Sequence, residues 1–151
     1  MTAPAIELAP GAGENGLATM LAELVRQNLE AKPHKKPDFM AIRGDVSIVA
    51  DDADVALTLC FHGAGKLTIH DGIVGVPDVT IRGPSEAIMA LSNLPLTRRF
   101  GLPLPNPADR QAVQTVREVV GAVRAGKLHM YGMAFHLPLM MKLTRVMSVH
   151  G

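Results

Sequence analysis

Cys60, His62, His70, Asp71 and His129 are the side chains of this 151-residue sequence whose types fit metal or nucleophilic chemistry. Cys60 and His62 stand two residues apart, which on a strand puts them on one face. A zinc site needs three or four such ligands converging at roughly 2.0–2.3 Å. No H-x-x-x-H or C-x-x-C spacing imposes that convergence, so structural or solvent-facing histidines are expected. A cysteine nucleophile needs a base or a helix N-terminus to lower its pKa. Cys60 is expected in mid-strand, without that helix. No paired carboxylates or triad stand out. The reading is therefore no catalytic residue, no metal and no cofactor.

Two glycine runs invite a phosphate reading and fall short of it. Residues 11–16 read GAGENG, a literal G-x-G-x-x-G. A dinucleotide site also needs a strand before the run, a helix after it and an acidic residue about 20 positions on. Only the helix is expected here. The GAGK at 63–66 would need glycine where Cys60 stands and serine or threonine where Leu67 stands.

Bulk composition narrows the function classes. Fifteen basic and 14 acidic residues give a net charge of +1, without the basic excess that phosphate binding requires. No nucleic-acid partner is expected. Aromatic residues make up 3% of the sequence, too few for stacking platforms. One cysteine permits no internal disulfide. Apolar residues reach 48%, and charged residues only 19%, a globular composition. The first residues, MTAPAIELAPGAGENG, lack the basic and apolar regions of a signal peptide. No apolar run reaches ~18 residues, so no membrane span is expected. A cytoplasmic location is the expectation.

The elements that position these residues follow from periodicity. Residues 1–15, with Pro4, Pro10, Gly11 and Gly13, read as a flexible N-terminus. Leu17, Met20, Leu21, Leu24, Val25 and Leu29 recur at helical spacing, with Asn15 as N-cap and a stop before Pro33. KPHKKPD reads as a linker. Ile42, Val46 and Ile48 alternate with polar residues, as do Val55, Leu57, Leu59 and Phe61, giving half-buried strands. Leu67–Ile69 and Val79–Arg82 read as further strands, and Asp71-Gly72 as a turn. Pro84 opens a helix with Ala87, Ala90, Leu91 and Leu94 on one face. After a proline-studded loop, Asn106 and Pro107 start a long helix. Its buried stripe is expected to be Ala112, Val113, Val116, Val119, Val120 and Val123.

The last segment, GKLHMYGMAFHLPLMMKLTRVMSV, contains five of the nine methionines. A short strand and a glycine lead into a helix. Leu137, Leu139, Met140, Met141, Leu143, Val146 and Met147 cover roughly 220° of its wheel, where one core needs a stripe somewhat wider than about 100°. More protein, a partner or an apolar ligand must cover the surplus. The whole reads as a single α+β domain: a mostly antiparallel five-stranded sheet covered on one face by helices.

VPDVTIRGPSEAIMALSNLP, VALTLCFHGAGKLTIHDG, GKLHMYG and MAFHLPLMMKLTRVM resemble the sterol carrier protein type 2 family. The similarity covers about residues 16–149 and rests on apolar and glycine patterns rather than on a catalytic signature. It implies an apolar tunnel between the sheet and the C-terminal helix, taking fatty acyl chains, sterols or phospholipids. Wall residues on this reading are Leu57, Leu59, Phe61, Leu91, Met133, Phe135, Leu137, Met140, Met141 and Met147. The sequence departs from the family between Leu94 and Lys127. There an inserted loop and helix, at about residues 95–126, replace a short connection. Pro138, inside the start of the last helix, is a second departure.

The expected function is non-enzymatic binding, and transfer, of a lipid or other apolar molecule. Arg98, Arg99 and Phe100 are the expected contacts with a membrane surface, the arginines meeting headgroups. The alternative is a non-catalytic interaction or homodimerisation module whose cavity is filled by the inserted helix.

Overall fold

The computed structural model describes residues 4–91 and 110–148, with backbone alone at 111, 112, 115 and 116. Six strands form one mixed sheet: β1 (Ala5–Leu8), β2 (Arg43–Ala50), β3 (Val55–His62), β4 (Lys66–Asp71), β5 (Val79–Gly83) and β6 (His129–Tyr131), in the order β1-β4-β3-β2-β5-β6. The helices among the described residues are α1 (Gly16–Ala31), α2 (Lys36–Ala41), α3 (Ser85–Leu91), α4 (Arg110–Arg124) and α5 (Leu137–Met147).

Register places the apolar half of each alternating strand on one face. Val46 lies opposite Leu59 and Val79, Ile48 opposite Leu57 and Ile81, and Leu59 opposite Ile69. All seven are buried, and they form the floor of the core. Leu21, Val25 and Leu29 of α1 and Leu139, Met140, Leu143 and Val146 of α5 bury their apolar sides in the same core.

The outward face is crossed by the connection from β4 to β5. Thr58 Oγ1 donates to the Gly72 carbonyl at 2.8 Å, accepts from the Val74 amide at 3.1 Å and meets Ser47 Oγ at 3.2 Å. These bonds satisfy two hydroxyls that the crossing buries completely. Asp78 ends the crossing on β2: its amide donates to the Asp45 carbonyl, and its carboxylate accepts from the Asp45 amide, both at 2.9 Å. The turn at Asp71-Gly72 exists, with Gly72 at φ +73°. It does not return the chain as a hairpin, because β5 pairs parallel with β2.

Four expectations are corrected. The sheet has six strands, and β1–β4 and β2–β5 are parallel. The extra strand lies in the N-terminus read as flexible: Ile6 and Leu8 pack on the core beside Leu67 and Ile69, and four residues are too few to show a period. KPHKKPD is not a linker. Pro33–Lys35 makes a 3-10 turn, and Lys36 starts α2, with Pro37 in the first turn where no amide is missed. The valine stripe of α4 is only partly buried. Val119 packs inward, while Val120 and Val123 remain 44% and 49% exposed, since α4 rests chiefly on α3.

Asn15 caps α1 as its position predicts, accepting from the Ala18 amide at 3.1 Å. Its Nδ2 also donates to the Ala56 carbonyl and to Asp71 Oδ1, fastening the helix to the sheet.

Candidate apolar binding site

Between the core face of the sheet and α5, side chains leave a cavity of about 260 Å³. Ile48, Leu59, Ile81 and Met130 supply its floor; α1, α3 and α4 contribute Leu21, Ile88, Met89, Leu91 and Val119. From the α5 side come Met133, Leu137, Met140, Met141, Leu143, Thr144 and Met147. Six of the chain's nine methionines are therefore in one wall system. Flexible thioether side chains suit a surface that adapts to its occupant. Met133 and Leu137 both line the cavity and reach solvent, which sets its mouth at the start of α5.

The C-terminal end of α5 is held from three directions. Asn28 Nδ2 donates to the carbonyls of Val146 and Met147, each at 3.0 Å. The Lys35 amine donates to the Ser148 carbonyl. Arg145 forms a two-pronged ion pair with Asp38, at 3.0 and 3.1 Å. Donors and a cation at this end complement the carbonyls that a helix leaves unpaired. Burial, and then the charge of Lys32, lowers the Lys35 amine from 10.5 to about 8. Among the described residues no side chain fastens the opposite end in this way: Gly132, at φ +82°, gives way to a 3-10 turn at Met133–Phe135, and the N-cap His136 makes no side-chain capping bond. Pro138 occupies the first turn of α5, where it is tolerated.

Of the wall residues expected from sequence, Leu59, Leu91, Met133, Leu137, Met140, Met141 and Met147 surround the cavity. Three do not. Leu57 is buried farther along the same face, and Phe61 packs edge-on against Phe39 at 6.5 Å. Phe135 is 89% exposed, because the 3-10 turn rotates it away. Arg98, Arg99 and Phe100 lie outside the described residues. Sequence reasoning named no wall residue from α1, β2, β5, β6 or α4, where Leu21, Ile48, Ile81, Met130 and Val119 line the cavity, and it passed over Ile88, Met89, Leu143 and Thr144 beside those it did name. Of the described residues of α4, Val119 lines the cavity.

A larger cleft, about 1030 Å³, lies between α3, α4 and the Asp51-Asp52 turn. It is an open groove edged by Asp51, Arg82, Glu86, Glu118 and Lys127. Mixed charge and open solvent give an apolar ligand little to gain there, so the smaller apolar cavity is the better candidate.

The groups suited to other chemistry do not assemble. Among the described residues, no three His, Cys, Asp or Glu side chains could hold one metal ion. Cys60 faces outward beside Asp45. Partial burial, then the Asp45 charge, pushes its thiol up to about 11, the reverse of activation. His62 pairs with Thr68 at 2.9 Å, and His129 stacks on Tyr131 at 5.7 Å. The strand thought missing before GAGENG is present as β1. The run itself folds into a 3-10 turn whose amides bond within it, Glu14 to Gly11 and Asn15 to Ala12. Those two amides are not free for a phosphate. GAGK joins two antiparallel strands rather than a strand and a helix. No helix among the described residues is long and apolar enough to cross a membrane.

No family model matches the sequence, and no curated protein matches it. Solved structures do. One, described as "UbiJ-SCP2 Ubiquinone synthesis protein", aligns at a TM-score of 0.51 with 15% identity, covering 89% of this chain and 90% of that one. A second, "Crystal structure of sterol carrier protein 2", aligns at 0.46 with 13% identity over 85% and 91% of the two chains. The first alignment, nearly end to end on both chains, shows that this chain has the sterol-carrier-protein-2-like fold.

Proposed function

We propose that the protein binds the hydrocarbon part of a lipid, a fatty acyl chain or a similar flexible tail, in the cavity beneath α5, and carries it there. One observation carries this reading: in a lining of sixteen described residues, Thr144 is the only polar one. Such a surface offers burial and almost no hydrogen bonding. At about 0.8 kcal/mol per methylene, ten buried methylenes would contribute roughly 8 kcal/mol before the costs of ordering. The volume of about 260 Å³ lies just under the ~300–1,000 Å³ of ordinary small-molecule pockets. That favours a slender chain over a rigid ring system, with the polar head left at the Met133–Leu137 mouth. The fold and the family resemblance of the sequence support the same class of ligand, and a cytoplasmic carrier is the setting it suits.

Titration with a fluorescent fatty acid tests this. Saturable one-to-one uptake is expected, with displacement by unlabelled acids that strengthens with chain length. Met141→Trp, which fills the cavity from its edge, should abolish uptake. Absence of saturable uptake at every chain length would sink the proposal.

A second reading has its own observation. Val120 and Val123 leave a half-exposed apolar stripe on α4, which a second copy of the chain would cover. Light scattering across a wide concentration range decides it: a monomer throughout removes this reading.

A further inference from the structure

Thr144 stands three or four residues from Met140, Met141 and Met147, and all four line the cavity. Residues so spaced on a helix are neighbours, with Cβ atoms about 5–6 Å apart. One face of α5 thus presents a hydroxyl flanked by three thioethers inside an otherwise apolar space. The hydroxyl donates to the Met140 carbonyl at 2.8 Å, and a hydroxyl oxygen keeps lone pairs with which to accept.

We propose that the cavity takes up lipid hydroperoxides and that its methionines reduce them. The inference rests on the reading that an acyl chain enters the cavity. A hydroperoxide group carried in by its chain is polar and needs a partner in an apolar site. Thr144 Oγ1 accepts its O–H, and this holds the peroxide beside the three sulfurs. A thioether sulfur then attacks the terminal peroxide oxygen. The S–O bond forms as the O–O bond breaks, and the proton of the terminal oxygen passes to the oxygen left on the lipid. The products are a lipid alcohol and a methionine sulfoxide, the sulfur losing the two electrons that the peroxide gains. Each methionine reacts once, so the process is stoichiometric until a sulfoxide reductase restores the thioether.

Met20 provides an internal control. It lies on α1 away from the cavity and is 42% exposed, whereas Met140 is 9% exposed. A small hydroperoxide without a chain should follow exposure and oxidise Met20 first.

The test treats the full chain with one equivalent of linoleic acid hydroperoxide or, separately, of tert-butyl hydroperoxide. Peptide mass spectrometry then maps the sulfoxides. In parallel, the corresponding hydroxy fatty acid is tested for displacement of a fluorescent fatty acid. With the lipid reagent, sulfoxide at Met140, Met141 and Met147 should exceed that at Met20 by roughly tenfold or more, the effect of holding two reactants together. With the small reagent the order should reverse. Thr144→Val should lose most of the enrichment, which Thr144→Ser should keep. Met20 oxidised as readily as the cavity methionines under both reagents, with the hydroxy acid shown to bind, would overturn the inference while leaving lipid binding intact. Failure of both the hydroxy acid and the probe to bind would overturn the lipid reading and this inference with it.

Discussion

Asn28 donates to the Val146 carbonyl at 3.0 Å across 118 positions of sequence, tying the last turn of α5 to the last turn of α1. The same amide reaches Met147. The cavity wall is therefore fixed at the end far from its mouth. Asn28→Ala leaves these carbonyls without that donor and should cost about 1–3 kcal/mol. Urea unfolding should show a lower midpoint at unchanged slope. Asn28→Asp should be worse, since a carboxylate cannot donate and is repelled by the helix C-terminus.

Lys35 makes stability depend on pH in an unusual direction. Its amine titrates near 8 in the folded protein and near 10.5 when unfolded. Between those values the unfolded chain holds a proton that the folded chain has released. Stability from this group therefore rises as pH climbs through that window, and below it the full penalty of the buried charge applies. Melting curves between about pH 7 and 10 should show the rise, and Lys35→Met should remove it.

Gly132 joins β6 to the mouth of the cavity. Its φ is +82°, and a Cβ there would fall on the Asp78 carbonyl oxygen. Gly72 has a similar φ of +73° but open space around it. Gly72→Ala should cost about 1–2 kcal/mol from conformation alone. Gly132→Ala should cost clearly more, because backbone must also move. Comparing the two denaturation midpoints separates close approach from dihedral strain.

Cys60 should be a sluggish thiol. With its pKa pushed up to about 11, its thiolate fraction at pH 8 falls roughly 100-fold below that of a free cysteine. Its reaction with an aromatic disulfide reagent should be slow in proportion, and Asp45→Asn should speed it.

What the sequence disclosed followed from period and caps. β2 and β3 announced themselves by alternation, and α1 by Asn15 and its stripe. Alternation assigns a face but not a place along it. Leu57, Leu59 and Phe61 are equivalent by period, yet of the three only Leu59 lines the cavity. Phe61 faces Phe39, whose helix α2 was hidden by the prolines and lysines around it. Phe135 and Leu137 both follow the glycine, and only the rotation of the 3-10 turn tells which one enters the cavity. The anchors Asn28, Lys35 and Asp38 pair with residues more than a hundred positions away, a distance over which local patterns carry no information.

Native mass spectrometry of freshly purified protein tests the central claim most directly. A lipid seated in an apolar cavity survives purification when exchange is slow. The account predicts a peak heavier than the polypeptide by one fatty acid or lipid, removable by solvent extraction, restored by added fatty acid and missing from Met141→Trp. A single peak at the bare polypeptide mass, unchanged after incubation with fatty acids of every length, would contradict it.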